Sequence, residues 1–310
     1  AAAGAILYYL EFTEHREVSH IASISRLDQK DYVWIDKFTI RNLELFSGAG
    51  SEKSSFSDVI DRTLTSMGGR LLKRWIAMPL LDVKRIERRQ DVVEALTQDS
   101  ELAATLREQI SQIGDLERLS SRIAASKILP RELVQLKNSL SAVENLKALL
   151  ESTDVDCLHD IASKIDPLTA VRDRLAQDIY PDPANNQIQK GGVIADGVSA
   201  ELDDLRRIAL HGKDVLMQIQ QRESEATGIP LKINYNNVFG YYIEVRNTHK
   251  DKVPESWIRK QTLTSAERYI TEELKEYEEK ILGAQDRILA IEQEIYAALV
   301  QYIGGHLKTI

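Results

Sequence analysis

Between Val245 and Arg268 the chain interleaves cations with small hydrogen-bonding side chains. Arg246, Lys250, Lys252, Arg259, Lys260 and Arg268 are mixed with Asn247, Thr248, His249, Gln261, Thr262, Thr264 and Ser265. Six cations stand here against three carboxylates, Asp251, Glu255 and Glu267, although the whole chain carries a net charge of -8. Cations beside hydroxyl and amide donors suit phosphate oxygens, which they bind without reading bases. Composition by itself also describes a solvated loop with incidental lysines. Trp257 and the nearby tyrosines could stack on bases, but in strand contexts such residues more often fill a core.

Other chemistries find less support. The stretch GAGSEKSS, Gly48 to Ser55, superficially imitates a phosphate loop, yet that pattern needs Gly directly before the Lys-Ser pair and here stands Glu52. It reads as a surface loop. The six histidines show no HxxxH spacing, and the nearest pair, His15 and His20, falls in an expected loop, so no metal ligation is expected. Glu272-Glu273 and Glu278-Glu279 lie beside lysines at helical spacing and read as a charged solvent face. Cys157 is the single cysteine, which excludes an internal disulfide and a cysteine-based zinc site and fits a reducing compartment. No nucleophile stands with a base, so neither a catalytic residue nor a bound cofactor is expected within these residues.

The elements that must carry the basic stretch are mainly helical. Aromatic residues make up only 6% of the 310, which favours helices over a sandwich or barrel, and no run approaches the ~20 apolar residues of a membrane span. The opening AAAGAILYYLEF lacks a basic leader and a start methionine, so it reads as a boundary inside something larger rather than a signal peptide. Residues 2–11 predict a short apolar helix. Ile21 to Leu27 and Val33 to Ile35 predict two short strands around the turn 28–31, before a helix over 36–46 and a loop over 47–57. From Asp58 to about Leu150 short helices follow one another, with Asp82, Asp99 and Asp115 as N-caps. The segment 152–192, with Pro167, Pro181 and Pro183, is expected to be an irregular connection.

Two long amphipathic runs come next. Leu202, Leu205, Ala209, Gly212, Leu216 and Ile219 step by three and four. So do Ile270, Leu274, Tyr277, Ile281, Ala284, Ile288, Ile291, Ile295, Ala298 and Tyr302. A narrow seam of this period wants a partner helix. Laid antiparallel, the two runs bring Gly228 and Tyr269 together at one tip, and the segment between them projects there. In that segment Leu231, Ile233 and Tyr235 alternate with polar residues, Tyr242, Ile243 and Val245 supply a partner strand, Asn236-Asn237 can turn the chain, and Gly240 permits a bulge or a positive φ. The expected fold is therefore mainly α: a multi-helical core with long antiparallel helices and a small β-rich cap inserted at their tip.

Five blocks carry a family resemblance: DRTLTSMGGRLLKRWIAMPLLD (61–82), IGDLERLSSRIA (113–124), GGVIADGVSAELDDLR (191–206), NNVFGYYIEV (236–245) and QTLTSAERYITEELKEYEEKIL (261–282). Together, and in this order, they resemble the MutS family of DNA mismatch-repair proteins. AAAGAILYYL and RNLELF also match its central region. The resemblance covers only that family's core, levers and clamp, so it implies a helical core and lever domain over 1–227 and 269–310 with a clamp domain, 228–268, between the levers. It implies that the clamp holds duplex DNA by its backbone and that the levers couple it to a remote ATPase domain. ATP and magnesium, a homodimer and a MutL-type repair partner would then belong to the full-length parent, a cytoplasmic protein at the nucleoid.

Carried onto this sequence, the family's clamp contacts fall on Asn247 to Lys250 and Arg259 to Ser265, flanked by Arg246, Lys252 and Arg268. Where the family often reads Lys-Asn before Ala-Glu-Arg-Tyr, this chain has Thr264-Ser265, which places more weight on Arg259 and Lys260. Arg268, expected where the second lever helix restarts, could contact phosphate or form a lever salt bridge with a nearby Glu. The alternative reading is a helical protein-interaction scaffold whose cap binds a protein partner.

Overall fold

The computed structural model describes residues 2–12, 29–46, 54–236, 238 and 240–310. The chain divides into two compact units, Ala1–Asn186 with Ala297–Ile310, and Gln187–Tyr296.

In the first unit helices follow in short succession: α1 (Ala2–Phe12), α2 (Lys37–Asn42), α3 (Phe56–Ile60), α4 (Ser66–Ala77), α5 (Val83–Gln98), α6 (Ser100–Ser111), α7 (Leu116–Ala124), α8 (Pro130–Glu151), α9 (Asp156–Ala162) and α10 (Thr169–Asp178). Side-chain caps set several of their starts. Asp82, Asp99 and Asp115 each accept from the backbone N–H three residues on, satisfying a donor the first turn leaves free. At the start of α8, Pro130 takes the first helical position and Glu132 turns back to accept from the Leu129 N–H at 3.0 Å. Glu132 also pairs with Arg118 and Arg122, tying α7 to α8. Helices α6, α7, α9 and α10 all pack on α8. Leu106, Leu150, Leu158 and Ala162 form one buried cluster there.

Several expectations need correction in this unit. The segment 152–192 is not irregular: it contains α9 and α10, with Leu158, Val171 and Leu175 buried. These helices have 7 and 10 residues, too short for periodicity to register, and Pro167 lies in the gap between them. Val33 to Ile35 do not make a strand; a 3-10 turn at Gln29–Asp31 leads to an isolated bridge between Tyr32 and Leu80. The companion strand at Ile21 to Leu27 lies outside the described residues. The helix expected over 36–46 has its N-cap at Asp36 but stops at Asn42, and Glu44 takes a positive φ. Within the loop expected over 47–57, Phe56 and Ser57 are already helical because Ser55 and Asp58 form a capping box; residues 47–53 lie outside the described residues.

The second unit is built on two long helices, α11 (Ala200–Thr227) and the part of α12 (Glu272–Gly304) up to Tyr296. Ser199 caps α11 at its start. Gly228 ends it at φ +64, a left-handed conformation that glycine adopts without strain. At 28 and 33 residues the helices run about 42 and 50 Å. They are antiparallel. Arg222 near the end of α11 meets Glu273 at the start of α12, and Arg287 further along α12 meets Glu201 at the start of α11. Leu202, Leu216, Ile219, Leu274, Ala284 and Ile291 are buried along the expected seams. Beyond Ile291 the buried face of α12 moves to Tyr296, Leu299, Val300 and Ile303, leaving Ala298 and Tyr302 exposed.

Between the helices stands a four-stranded antiparallel sheet of order β1-β2-β4-β3, from β1 (Lys232–Asn236), β2 (Gly240–Arg246), β3 (Ile258–Thr262) and β4 (Ala266–Ile270). The β1–β2 hairpin follows the sequence expectation, with Lys232 opposite Glu244 and Asn236 opposite Gly240. The Asn236 side chain accepts from the Val238 N–H and starts the turn. The second hairpin replaces what the sequence presented as a basic loop. One sheet face joins Leu216 of α11 and Leu274 of α12 in a cluster with Ile229, Leu231, Ile243, Val245, Trp257 and Tyr269. Trp257 is thus a core residue.

Among the described residues, no helix is long and apolar enough to cross a membrane.

Candidate nucleic-acid interface

Arg246 closes β2, and the chain then turns through a 3-10 segment, Asn247–Lys252, that carries Thr248, His249, Lys250 and Lys252. Thr264 and Ser265 form the tip of the β3–β4 hairpin, closed by the Leu263 N–H donating to Ala266 O at 2.8 Å. Asn247 joins these two segments. Its backbone N–H donates to Ser265 O at 3.2 Å and its side-chain amide to Thr264 O at 3.1 Å. The fold therefore brings residues 246–248 and 264–265 to one end of the sheet.

Sheet register divides the remaining cations. Directly opposed residues share a face, so Arg259, opposite Tyr269, lies on the face of Ile243, Val245 and Glu267. Gln261 lies opposite Arg268 on the other face. The register shifts between Arg259 and Gln261, leaving Lys260 as the extra residue of a β-bulge on an edge strand exposed along its whole length. A bulge bends its strand and re-aims side chains, which takes Lys260 out of the ladder's alternation.

Glu267 gathers part of this charge. It is only 2% exposed, yet its carboxylate accepts from Lys250 Nζ at 2.9 Å, from Arg259 Nη1 at 3.4 Å and from the Tyr269 hydroxyl. The Tyr269 hydroxyl, followed by Lys250, holds the Glu267 carboxyl below the ordinary carboxylate range. Burial, together with the bond to Glu267, pushes the Tyr269 phenol up to about 12. On the opposite face Arg268 donates to Glu244 at 3.3 Å and to Gln261 at 2.8 Å, and its guanidinium lies 4.4 Å from the centre of the Tyr242 ring. Among the described residues Arg246, Lys252 and Lys260 make no ion pair and are exposed.

Both long helices reach this cap directly. Gln220 of α11 accepts from the Ile233 N–H of β1 at 3.1 Å, and Glu278 of α12 accepts from the Tyr241 N–H of β2 at 3.3 Å. Gly240 has a φ of +80, and a Cβ there would overlap the Glu278 carboxylate.

The sequence that builds these helices and this sheet has known relatives. A family model described as MutS domain III matches residues 38–310. The chain belongs to the MutS family. Over all 310 residues it is 54% identical to the DNA mismatch repair protein MutS of Parabacteroides distasonis, and 52% identical to those of Bacteroides fragilis and Flavobacterium johnsoniae. It spans 36% of the length of each of these relatives.

In this MutS chain the sequence-predicted residues do not form one uniform patch. Asn247, Thr248, Thr264 and Ser265 come together at the sheet end, with Arg246 beside them. Lys250 and Arg259 meet through Glu267. Arg268 lies in the middle of β4, not where the helix restarts at Glu272, and its carboxylate partner is Glu244 of the neighbouring strand rather than a lever residue. Alternation of Ala266, Arg268 and Ile270 with Glu267 and Tyr269 was the available signal for a strand. Sequence reasoning counted Glu267 only as a charge subtracted from the patch. It also passed over Glu292, whose carboxylate is 1% exposed and accepts from the Gly192 N–H at 3.1 Å, the Val193 N–H at 3.0 Å and Arg206 at 2.8 Å. A carboxylate on the apolar side of a helix is the signal that could have found it, since buried charge requires partners.

Proposed function

We propose that this chain is the core, lever pair and clamp of a mismatch-repair recognition protein. Residues 1–227 and 269–310 are the helical core and levers, and residues 228–268 are a clamp that holds duplex DNA by its backbone. The observation that carries the reading is the Asn247 staple to Thr264 and Ser265, which gathers exposed hydroxyls and cations at the end of a sheet fixed to both long helices. Such a surface supplies phosphate ligands and no base-reading geometry. Arg246, Lys252 and Lys260, free of ion pairs among the described residues, are its leading contacts, with Asn247, Thr248, His249, Lys250, Arg259, Gln261, Thr264 and Ser265 around them. Arg268 serves the sheet first. Stiff helices of this length would couple clamp position to a remote ATPase domain, through a two-state element biased from both ends.

ATP and magnesium belong to that domain of the full-length parent and not to this chain. Glu52 stands where a phosphate loop needs a glycine before Lys53. The parent would work as a homodimer with a MutL-type partner, in the cytoplasm at the nucleoid.

The deciding experiment titrates the parent protein, with and without Arg259→Glu and Lys260→Glu together, on matched and mismatched duplexes across a salt series. The reversal weakens both duplexes alike and flattens the salt dependence. An unchanged salt slope, or a loss confined to mismatched DNA, favours a cap that binds a protein partner.

A further inference from the structure

We infer that Glu267 is the positioning residue of the clamp's phosphate-binding surface, holding Lys250 and Arg259 side by side so that one stretch of DNA backbone meets both. The inference rests on the DNA-binding reading above and adds a residue whose charge has the wrong sign for that role.

The geometry separates an anchor from a competitor. Lys250 and Arg259 come from different elements, the 3-10 segment and β3, and both reach the same oxygen of Glu267. Two cations brought that close repel one another, and a carboxylate between them offsets the repulsion. Their side chains remain 54% and 57% exposed while that of Glu267 is 3% exposed. Lysine offers three donors and arginine five, so most of these donors are left facing solvent. The other carboxylate oxygen of Glu267 accepts from the Tyr269 hydroxyl, a further bond that holds this buried side chain in place. Long side chains already held in place lose less rotamer freedom when a ligand arrives.

An anchor and a competitor predict opposite signs. If Glu267 merely cancelled positive charge, its neutralisation would tighten DNA binding. In the positioning role Glu267→Gln weakens binding, although it makes the patch more positive. The experiment uses the full-length parent, a fluorescently labelled homoduplex and a salt series. The variants are Glu267→Gln, Glu267→Asp, Lys250→Ala with Arg259→Ala, and that pair combined with Glu267→Gln. Hydrogen exchange of the β2 and β4 amides monitors clamp folding. Glu267→Gln is expected to weaken binding roughly tenfold, the scale of one charge-assisted hydrogen bond, and to lower the magnitude of the salt slope by about 1. Glu267→Asp keeps the charge but withdraws the carboxylate, so it weakens binding as well, and it decides the matter if the Gln variant loses amide protection. With Lys250 and Arg259 already removed, Glu267→Gln has no further effect.

Tighter or unchanged binding by Glu267→Gln, or wild-type affinity in Glu267→Asp, overturns the positioning role. So does an equal loss from Glu267→Gln in the background lacking both cations, which marks a purely structural residue. If the Lys250 and Arg259 pair can be removed with no change in affinity or slope, those residues lie outside the interface and the positioning role falls with them. If that pair matters but Glu267→Gln tightens binding, the positioning role alone fails and the DNA-binding reading stands.

Discussion

Arg206 of α11 and Glu292 of α12 form an ion pair at 2.8 Å in which the carboxylate is shielded from solvent, and the same carboxylate caps the N–H groups of Gly192 and Val193. One side chain thus fastens both long helices and the segment leading into them. Arg206 keeps Asp196 and the Ile194 carbonyl as partners, but the Gly192 and Val193 N–H groups lose their acceptor, so Glu292→Ala is expected to cost about 1–3 kcal/mol. Urea unfolding measures the loss. Hydrogen exchange should show early opening at the Gly192 and Val193 amides.

The DNA contact should be electrostatic and shallow. With roughly three or four phosphates neutralised, log affinity falls against log salt with a slope of about -3 to -4. Titrations of the parent protein on homoduplex between low and moderate salt give this slope directly.

Asn247→Ala removes the amide that holds Thr264 while leaving the backbone bond to Ser265. A net loss of about 0.5–1.5 kcal/mol in stability is expected for one hydrogen bond. Because the 3-10 segment and the hairpin tip then separate more easily, homoduplex affinity should fall with it, whereas Asn247→Asp, which cannot donate, should fare no better than Ala.

Acid and alkali should loosen the clamp for separate reasons. The Tyr269 hydroxyl, then Lys250 and Arg259, keep Glu267 ionised below its ordinary value of 4.5, so its contribution to stability is full above that pH and is lost as pH falls through the lowered value. Tyr269 behaves oppositely: its contribution is full below the free phenol's 10 and is lost as pH rises towards about 12. Denaturant unfolding across pH should show both limbs, with Glu267→Gln flattening the acid limb and Tyr269→Phe the alkaline one.

Gly240→Ala should destabilise the β1–β2 hairpin. Its φ of +80 is costly for any residue with a Cβ, by about 1–2 kcal/mol, and the new methyl would displace Glu278 from the Tyr241 N–H. Hydrogen exchange at Tyr241 reports the displacement.

Much of the architecture is written locally. Asp82, Asp99, Asp115 and Ser199 announce their helices because a cap needs only one side chain and the N–H a few residues on. The seam from Leu202 to Ile219 and that from Leu274 to Ile291 show through periodicity, and alternation around Gly240 gives the first hairpin. The five sequence blocks suffice for the MutS resemblance. Short helices escape this reading: α9 and α10 carry too few apolar positions to establish a period, and α8 supplies the packing that stabilises them.

What the sequence determined by itself is therefore the helical class, the lever pair and the place of the cap. Tertiary structure decided how the cap's charges are used. Lys250, Arg259 and Glu267 are a net cation count in sequence and a bonded group in space, while Arg268 turns inward to Glu244 and Tyr242. Lys260 leaves the ladder through a bulge visible only once β3 and β4 are in register. Glu292 becomes a buried clasp only when residues 192, 193 and 206 arrive around it. The physical reason is common to all four: caps and periodicity involve neighbours a few residues apart, whereas the environment of a charge depends on which distant backbone and side-chain groups the fold sets beside it.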